Sequence, residues 1–269
     1  MLPDMFAAER QGRLIMNENL RIERDSVGEL AVPADAYYGV QSLRGYRNFR
    51  ITGRGLHPMF VGNIVKIKKA AAIVNSKIGR LEPDKAEAII TACDEILDGE
   101  LSEAFIVDAI QGGAGTSANM NANEVIANRA AELLGGHRGD YSLVHPNDHV
   151  NYAQSTNDVI PTAGKMTVIE LVQPLLTSLY MLALTFDGKS KEFDGIVKMG
   201  RTQLQEAVPV RLGQEFAAYA AVIRRDIGRI ETAEKEMHAV NLGGSAIGTS
   251  INVDPLYLEN ITKVLSGIT

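Results

Sequence analysis

The sequence predicts a mainly α-helical protein. Apolar residues recur at spacings of three and four over several long segments, which is the period of a helix with one buried face. Between Leu212 and Val240 the spacing becomes a strict seven, the pattern of a long helix in a bundle. The core must also be aliphatic, since the 269 residues include no Trp and 6% aromatic residues, and this composition favours helices over β-sandwiches.

Six helices follow from these spacings and from the residues that begin or end helices. They cover residues 61–78, 83–97, about 121–134, about 162–187, 212–240 and a last segment that begins at Asp254-Pro255. Gly79 and Gly99 suit helix ends, and Pro83 suits a first turn. Pro174 should bend or interrupt the fourth helix. Residues 17–60 are rich in turn-forming Gly and Pro, and we expect loops and at most short strands there.

The strongest helical signal is a heptad stripe that should pack against sister helices. Its members are Phe216, Ile223, Ile230 and Met237, with Ala220 and Ile227 in a second seam. An Ile and Met stripe of this kind is typical of a bundle core more than of a ligand site. The chain has few long helices, so we expect either that other chains supply the rest of that bundle or that the sequence is incomplete.

The charge and the single cysteine exclude several classes of protein. The formal net charge is −6 and the sequence pI is about 5.5, so the basic footprint of a nucleic-acid-binding protein is absent. Cys93 stands alone in the sequence, which excludes an internal disulfide and fits the reducing cytoplasm. Its place on an apolar helix face predicts burial.

No membrane or secretory segment is evident by inspection. No continuous apolar run approaches the ~18–20 residues of a membrane span, so we expect no membrane partner. Residues 1–16 contain charges and lack the apolar stretch of a secretory signal. We expect a disordered extension there.

Two short motifs have a structural interpretation that outweighs the functional one. Residues 113–118 read G-x-G-x-x-A, but the strands that a dinucleotide site needs around this fingerprint are missing from the pattern. His145 and His149 lie four residues apart beside a carboxylate, but Pro146 argues against a regular helix and no third metal ligand is evident. We expect a loop held by hydrogen bonds there and no metal site.

Three polar tracts are more informative, because each places several uncharged donors next to a helix. They are Thr116-Ser117, Ser155-Thr156-Asn157 and Thr202-Gln203. Capping explains one such residue per helix but not two or three in a row. The N-terminal ends of helices also attract anions. Together, three such tracts would form a pocket for carboxylates in a protein that is acidic overall.

The three tracts lie in longer segments that resemble conserved regions of the aspartase/fumarase superfamily. The segments are VPADAYYGVQSLR (32–44), GGAGTSANMNANEV (112–125), HPNDHVNYAQSTNDVIPT (145–162), GRTQLQEAVPV (200–210) and NLGGSAIGTSIN (241–252). The resemblance extends from about Asn19 to the end of the chain. It implies the superfamily's fold: a mixed N-terminal domain over residues 17–157, then a long-helix bundle domain over 158–269 that is truncated on its C-terminal side.

Within the superfamily, three positions resemble the aspartases more than the class II fumarases. Thr156 stands where class II fumarases usually have a second Ser, and Gln203 stands where they have the His of a G-R-T-H motif. The Gly-Ala-Gly-Thr-Ser form of residues 113–117 is also similar to aspartases. The resemblance implies reversible elimination of ammonia from L-aspartate to give fumarate. Class II fumarate hydratase is the alternative, and a helical scaffold without chemistry is another.

The resemblance also implies the substrate-binding residues. These are Thr116, Ser155, Thr156, Asn157, Thr202 and Gln203, with Ser117 as a weaker candidate. Their neutral donors can contact carboxylates and ammonium without titrating. The implied reaction passes through a dianionic aci-carboxylate, which donors already in place stabilise. It requires no cofactor or metal, and no motif here identifies the Mg²⁺ activation seen among some relatives.

The family's general base has no counterpart in this sequence. That base is a serine in a Gly-Ser-Ser-Ile-Met-Pro loop, a pattern that the 269 residues do not contain; Gly244-Ser245-Ala246-Ile247 is a different motif. The sequence thus resembles the N-terminal portion of a family chain, and we expect it to be inactive alone. The resemblance further implies a homotetramer whose active sites each draw on three subunits, with the apolar stripe at 216–237 packed against other subunits.

Overall fold

A computed structural model describes residues 19–269, which form two β-hairpins and seven α-helices. The elements are β1 Leu20–Asp25, β2 Gly28–Pro33, α1 Val40–Asn48, α2 Pro58–Lys77, α3 Pro83–Leu97, α4 Thr116–Leu133, α5 Thr156–Glu192, β3 Val197–Thr202, β4 Gln205–Arg211, α6 Leu212–Met237 and α7 Pro255–Ile268. The mainly α prediction is therefore confirmed. The extension expected over residues 1–16 lies outside the described residues.

The chain divides into two compact units. Unit 1 runs to Gly164 and resumes at Val240, and unit 2 comprises Lys165–Ala239. Helix α5 begins in unit 1 and continues into unit 2, so the first residues of α5 belong with α1–α4 and α7. The boundary expected at residue 157 concerns the domains of the superfamily and stays a prediction.

The core of unit 1 is built by α2, α3, α4 and α7. Helix α2 packs against α3 and α7, and α4 packs against α3. The contact faces are rich in small and branched residues such as Ala72, Ile89 and Val125, all of them buried, and small side chains let helices approach closely. Cys93 is also fully buried, as predicted from its place on the apolar face of α3.

A buried glutamate joins α4 to the start of α1. The carboxylate of Glu124 accepts hydrogen bonds from the backbone N–H groups of Gly39 at 2.9 Å, Gln41 at 2.9 Å and Ser42 at 3.0 Å, and from the Ser42 hydroxyl. These are the free amides at the N-terminal end of α1, which has no side-chain cap of its own. Burial raises the pKa of Glu124 to about 7, against the opposing effect of the Ser42 and Gln41 hydrogen bonds.

In unit 2 the β3–β4 hairpin joins two long helices, α5 and α6. Val172 and Leu176 of α5 pack against Ile227 of α6, with partly buried Leu179, Ile223 and Ile230 around them. Phe216, the first member of the heptad stripe, lies within 6 Å of three other aromatic rings, those of Phe186, Phe193 and Tyr219. The stripe therefore packs on α5 of the same chain, whereas we expected it to pack against other subunits.

The helix predictions hold, with corrections at the ends. Helix α4 begins at Thr116, not near residue 121, and α5 runs unbroken from Thr156 to Glu192 through Pro174. Proline removes one backbone hydrogen bond, but Val172 and Leu176 on either side of Pro174 pack against Ile227 of α6, and this packing offsets the loss. Residues 17–60 also contain a helix, α1, which the prediction of loops and short strands missed.

Helix α5 is long and apolar enough to cross a membrane by length and composition alone, with a mean hydropathy of 1.5 over an 18-residue window. Inspection for an uninterrupted apolar run did not identify this helix, because polar residues such as Glu170 and Gln173 interrupt the apolar sequence. The mean hydropathy of the window stays high despite these residues. Core helices of soluble proteins pass the same test, so this single helix is weak evidence for a membrane.

The role of Glu124 can be tested by substitution. Glu124→Ala leaves three N–H groups at the start of α1 without their acceptor, and we expect it to lower the free energy of unfolding by about 3 kcal/mol. The control is Glu100→Ala, which removes an exposed glutamate and should change stability by less than about 0.5 kcal/mol. Urea unfolding followed by circular dichroism measures both; equal midpoints for the two variants would contradict this account.

Candidate functional site

The first polar tract begins α4 after a left-handed turn. Gly113, Ala114 and Gly115 all have positive φ, at 75°, 53° and 90°. Thr116 is the first residue of the helix, and its hydroxyl donates to the Gly113 carbonyl at 2.7 Å while its side chain stays exposed. The turn thus presents a hydroxyl group at the N-terminal end of α4, where the N–H of Ala118 already donates to Oε1 of Gln111 at 2.8 Å.

Gly115 lets the start of α5 approach the start of α4. A Cβ atom at this position would lie 2.9 Å from Cγ2 of Ile160, a distance that real Cβ contacts do not reach. Glycine is therefore required here both for its positive φ and for the close approach. The structure consequently brings the tract at 116–117 beside the tract at 155–157.

The second tract is fixed by a network of hydrogen bonds around the first turn of α5. The N–H of Ser155 donates to Oδ1 of Asp158 at 2.9 Å, and the N–H of Asn157 donates to the Ser155 hydroxyl at 3.2 Å. From α4, Nδ2 of Asn119 donates to Oγ1 of Thr156 at 3.2 Å. Ser155 and Thr156 are partly exposed and Asn157 is exposed, so all three remain open to a ligand.

Asp158 ties the same turn to the Gly-rich segment that follows unit 2 in the chain. Its Oδ2 accepts from the N–H groups of Gly243 at 3.1 Å and Ser245 at 3.0 Å. Nearby, Nδ2 of Asn157 donates to the Ala246 carbonyl at 2.7 Å. One of the two amide protons of Asn157 is therefore already used, which leaves its second proton and its oxygen for a ligand.

A fully buried lysine lies beneath this turn. Lys68 of α2 donates through Nζ to Oδ1 of Asn151 at 2.7 Å and to Oε1 of Gln154 at 3.0 Å. Burial lowers the pKa of Lys68 to about 7, and the negative charge of Asp158 opposes that effect. The lysine thus belongs to the support of the second tract.

The third tract lies in unit 2, at the turn between β3 and β4. Thr202 ends β3, and Gln203 and Leu204 form the two-residue turn with φ of 48° and 65°. Positive φ at both turn residues is the geometry that matches the twist of a two-stranded hairpin, although it costs non-glycine residues about 1–2 kcal/mol each. Both Thr202 and Gln203 are exposed, so the turn presents their polar groups to solvent.

The His145–His149 motif and Ser117 both have structural contacts. His145 accepts from the N–H of Asn147 at 3.2 Å and of Asp148 at 3.1 Å, and the N–H of His145 donates to His149 at 2.8 Å. The expected hydrogen bonds are present, but the expected loop is wrong: residues Pro146–Val150 form one π-helical turn that His145 caps. Ser117, the weaker candidate, faces α1, where a Cβ on Gly45 would lie 2.7 Å from its hydroxyl; it is less open than Thr116.

Sequence reasoning missed three residues of this site, namely Lys68, Asn119 and Asp158. A signal existed for Lys68, because it occupies an apolar position of the α2 helical pattern. The other two are polar residues next to tracts that were already polar, so nothing distinguished them. Among residues 19–269 no group of three or more His, Cys, Asp or Glu side chains could hold a metal ion.

The match to a known family covers the elements from β2 to α7. A family model described as lyase matches residues 28–269. The chain belongs to this lyase family. Two solved structures share its fold: a fumarate lyase:delta crystallin from Brucella melitensis bound to cobalt, with a TM-score of 0.88 and 50% identity, and a class II fumarase from Schistosoma mansoni, with a TM-score of 0.86 and 35% identity. The predicted aspartase/fumarase superfamily fold is confirmed.

Lyases from several organisms are similar over the same region. An aspartate ammonia-lyase of Bacillus subtilis is 49% identical over 249 residues, which are 93% of this chain and 52% of the relative. For an aspartate ammonia-lyase of Pseudomonas aeruginosa the identity is 50%, with coverage of 93% and 53%. A class II fumarate hydratase of Halobacterium salinarum is 49% identical, again with coverage of 93% and 53%.

These lyases are longer than the chain described here. The chain spans about half the length of the curated relatives it matches, and it covers 55% of the Brucella structure and 53% of the Schistosoma structure. Identity also does not separate aspartases from class II fumarases, because both are represented at 49%. Individual residues of the site must decide between the two activities.

Burial of Lys68 predicts a pH dependence of stability. The unfolded amine has a pKa near 10.4 and the folded one about 7. Above pH 7 the folded state therefore binds fewer protons than the unfolded state, so stability should rise with pH. From pH 7 to 8 this group contributes a gain of about 1 kcal/mol.

The measurement is urea unfolding at pH 7.0, 7.5 and 8.0 for the wild type and for Lys68→Met. The variant should lack the gain that the wild type shows. Because Cys93 and Asp158, the titratable groups that face Lys68, are present in both proteins, their direct contributions cancel in the difference. Lys77→Met removes an exposed lysine of the same helix and should keep the wild-type slope; the same slope in Lys68→Met would contradict the prediction.

Proposed function

We propose that this chain is part of an aspartate ammonia-lyase, which eliminates ammonia from L-aspartate reversibly to give fumarate. The observation that carries the proposal is the convergence of two uncharged donor tracts at the adjoining N-terminal ends of α4 and α5. Hydroxyl and side-chain amide groups in that setting suit a dicarboxylate, since the dipoles of the two helices favour negative charge there. Membership of the lyase family and the aspartate ammonia-lyases among its relatives support it.

The chemistry explains why neutral donors are needed. Loss of the proton from carbon three of aspartate places two negative charges on the neighbouring carboxylate, as an aci-carboxylate. Donors that already point at this group stabilise it without reorganising, which is where most of the rate gain in such reactions arises. Because hydroxyl and amide groups do not titrate, they keep this role over a wide pH range.

We assign substrate binding to Thr116, Ser155, Thr156, Asn157, Thr202 and Gln203, with Ser117 less favoured because it faces α1. Gln203 has no titrating proton, so its role is hydrogen bonding. The proton-abstracting base is assigned to no residue of this chain, since the Gly-Ser-Ser-Ile-Met-Pro pattern is absent from its sequence. The reaction as proposed requires no cofactor.

The exposed apolar faces of unit 2 support the same proposal. Unit 2 exposes many large apolar residues along α5 and α6, including Leu171, Leu175, Met181 and Val222. Exposed apolar surface on this scale marks an interface. We propose that these faces form the bundle of a homotetramer in the cytoplasm, and that each active site draws on three subunits, so that the tract at 202–203 need not come from the same chain as the adjoining tracts at 116–117 and 155–157.

Class II fumarate hydratase is the second candidate, favoured by the 49% identity to the enzyme of Halobacterium salinarum. Thr156 and Gln203 argue against it, since fumarases usually have Ser and His there. The two activities share a product and differ in what is added to it. They are therefore separable by a direct assay.

The first test is the reaction itself, with protein expressed from the complete gene. With L-aspartate, we expect absorbance of fumarate at ultraviolet wavelengths to rise and ammonia to form in equal amount. With fumarate and water alone, we expect no malate. Malate without any deamination would identify a fumarase, and neither reaction would favour a scaffold without chemistry.

The second test separates binding from capping at Thr202. Thr202→Val keeps the shape of the side chain and removes its hydroxyl, and we expect turnover to fall by about 10²–10³-fold, as for loss of one donor to a developing oxyanion. The melting temperature should change by no more than about 2 °C, because the side chain is exposed. The matched control is Thr232→Val on α6, also exposed, which should keep turnover. Normal turnover with a lowered melting temperature would make Thr202 a structural residue.

A further inference from the structure

Lys68 occupies a position that packing alone does not explain. Its side chain has 0% relative exposure, whereas lysines are almost never fully buried without a partner. Removing an amine from water costs several kcal/mol, and a Leu or Met on this face of α2 would fill similar space without that cost. The reason for a lysine must therefore lie in what its Nζ atom contacts.

Those contacts stabilise the turn at 151–154, which precedes the second donor tract. Nζ donates to the side-chain oxygens of Asn151 and Gln154, which are the first and last residues of that turn. Between them Ala153 has a φ of 62°, a conformation that alanine rarely adopts. The N–H of Gln154 donates to the Asn151 carbonyl at 3.1 Å, so the lysine stabilises a tight and locally strained segment.

The same network reaches the hydroxyl of Thr156. Asn119 on α4 donates through Nδ2 both to Oδ1 of Asn151 and to Oγ1 of Thr156, each at 3.2 Å. Oδ1 of Asn151 thus accepts from Lys68 and Asn119 together. Because Oγ1 of Thr156 already accepts a proton from Asn119, its own proton is the one left to donate to a ligand.

We propose that Lys68 is a positioning residue of the active site, which holds the turn at 151–154 and, through Asn151 and Asn119, aims the hydroxyl of Thr156 at the substrate. The inference rests on the proposed function, since it concerns the same donor tract. Lys68 itself is buried and touches no substrate. Its effect on the reaction is therefore indirect, and it acts on geometry more than on affinity.

The structural half of the proposal is tested on this chain without any activity. Hydrogen exchange is compared between the wild type, Lys68→Met and the control Lys77→Met. We expect the amides of residues 151–157 to exchange at least tenfold faster in Lys68→Met. Exchange in α1, and in α4 beyond Asn119, should be unchanged. Unchanged exchange over 151–157 would overturn the proposal.

The catalytic half uses the enzyme expressed from its complete gene. A misaimed donor costs transition-state stabilisation, so kcat of Lys68→Met should fall on the order of 10²-fold while KM changes less than threefold. Asn119→Ala should act in the same direction, and the double variant should lose less than the product of the two single effects, because both break one network. Multiplicative losses, or an unchanged kcat in the folded Lys68→Met enzyme, would overturn the proposal.

Failure of the proposal for Lys68 can be distinguished from failure of the proposed function. If the wild-type enzyme turns over neither aspartate nor fumarate, the proposed function fails, and the exchange comparison still decides whether Lys68 holds the turn. If Lys68→Met does not fold, the same two measurements on Asn119→Ala decide the proposal. In that case normal exchange at 155–157 together with normal kcat would overturn it.

Discussion

The candidate site depends on one close contact within unit 1, the approach of the first turns of α4 and α5. Gly115 permits it, because any side chain there would collide with Ile160. The contact places the N-terminal ends of two helix dipoles near each other and brings together two runs of hydroxyl groups. Neither helix alone would offer more than an ordinary capped end, so the chemistry of the site arises from how the helices meet.

Most of the polar support of this region is buried and specific. Asp158 bonds the start of α5 to the segment at 243–245, and Lys68 bonds the preceding turn from below. The negative charge of Asp158 attracts the amine of Lys68, and this attraction offsets part of the cost of burying either group. A rigid frame of this kind suits a reaction that depends on donors being in place before charge develops.

The sequence predicted the long helices well, because burial on one face leaves a period in the residues themselves. Helices α2 and α3 end where their glycines indicate, and the heptad stripe of α6 faces a long helix, although that helix is α5 of the same chain. Helix α1 was missed because its N-terminal amides are satisfied by Glu124, far away in the chain, and not by a local capping residue. Short strands were expected over residues 17–60, where β1 and β2 lie, but the β3–β4 hairpin was missed because its strands are largely exposed. The donor tracts were visible as composition, whereas Lys68 and Asp158 act through tertiary contacts that no spacing encodes.

The bond between Glu124 and the start of α1 has a consequence for the order of events during synthesis. Ser42 and Glu124 are separated by 82 positions, and a nine-residue helix is only marginally stable in water without tertiary support. At ribosomal rates of about 5–20 residues per second, α1 would emerge roughly 4–16 s before its acceptor exists. The nascent segment at 40–48 is thus expected to remain unstructured until α4 docks, which makes α4, and not the N-terminal region, the element around which unit 1 is completed.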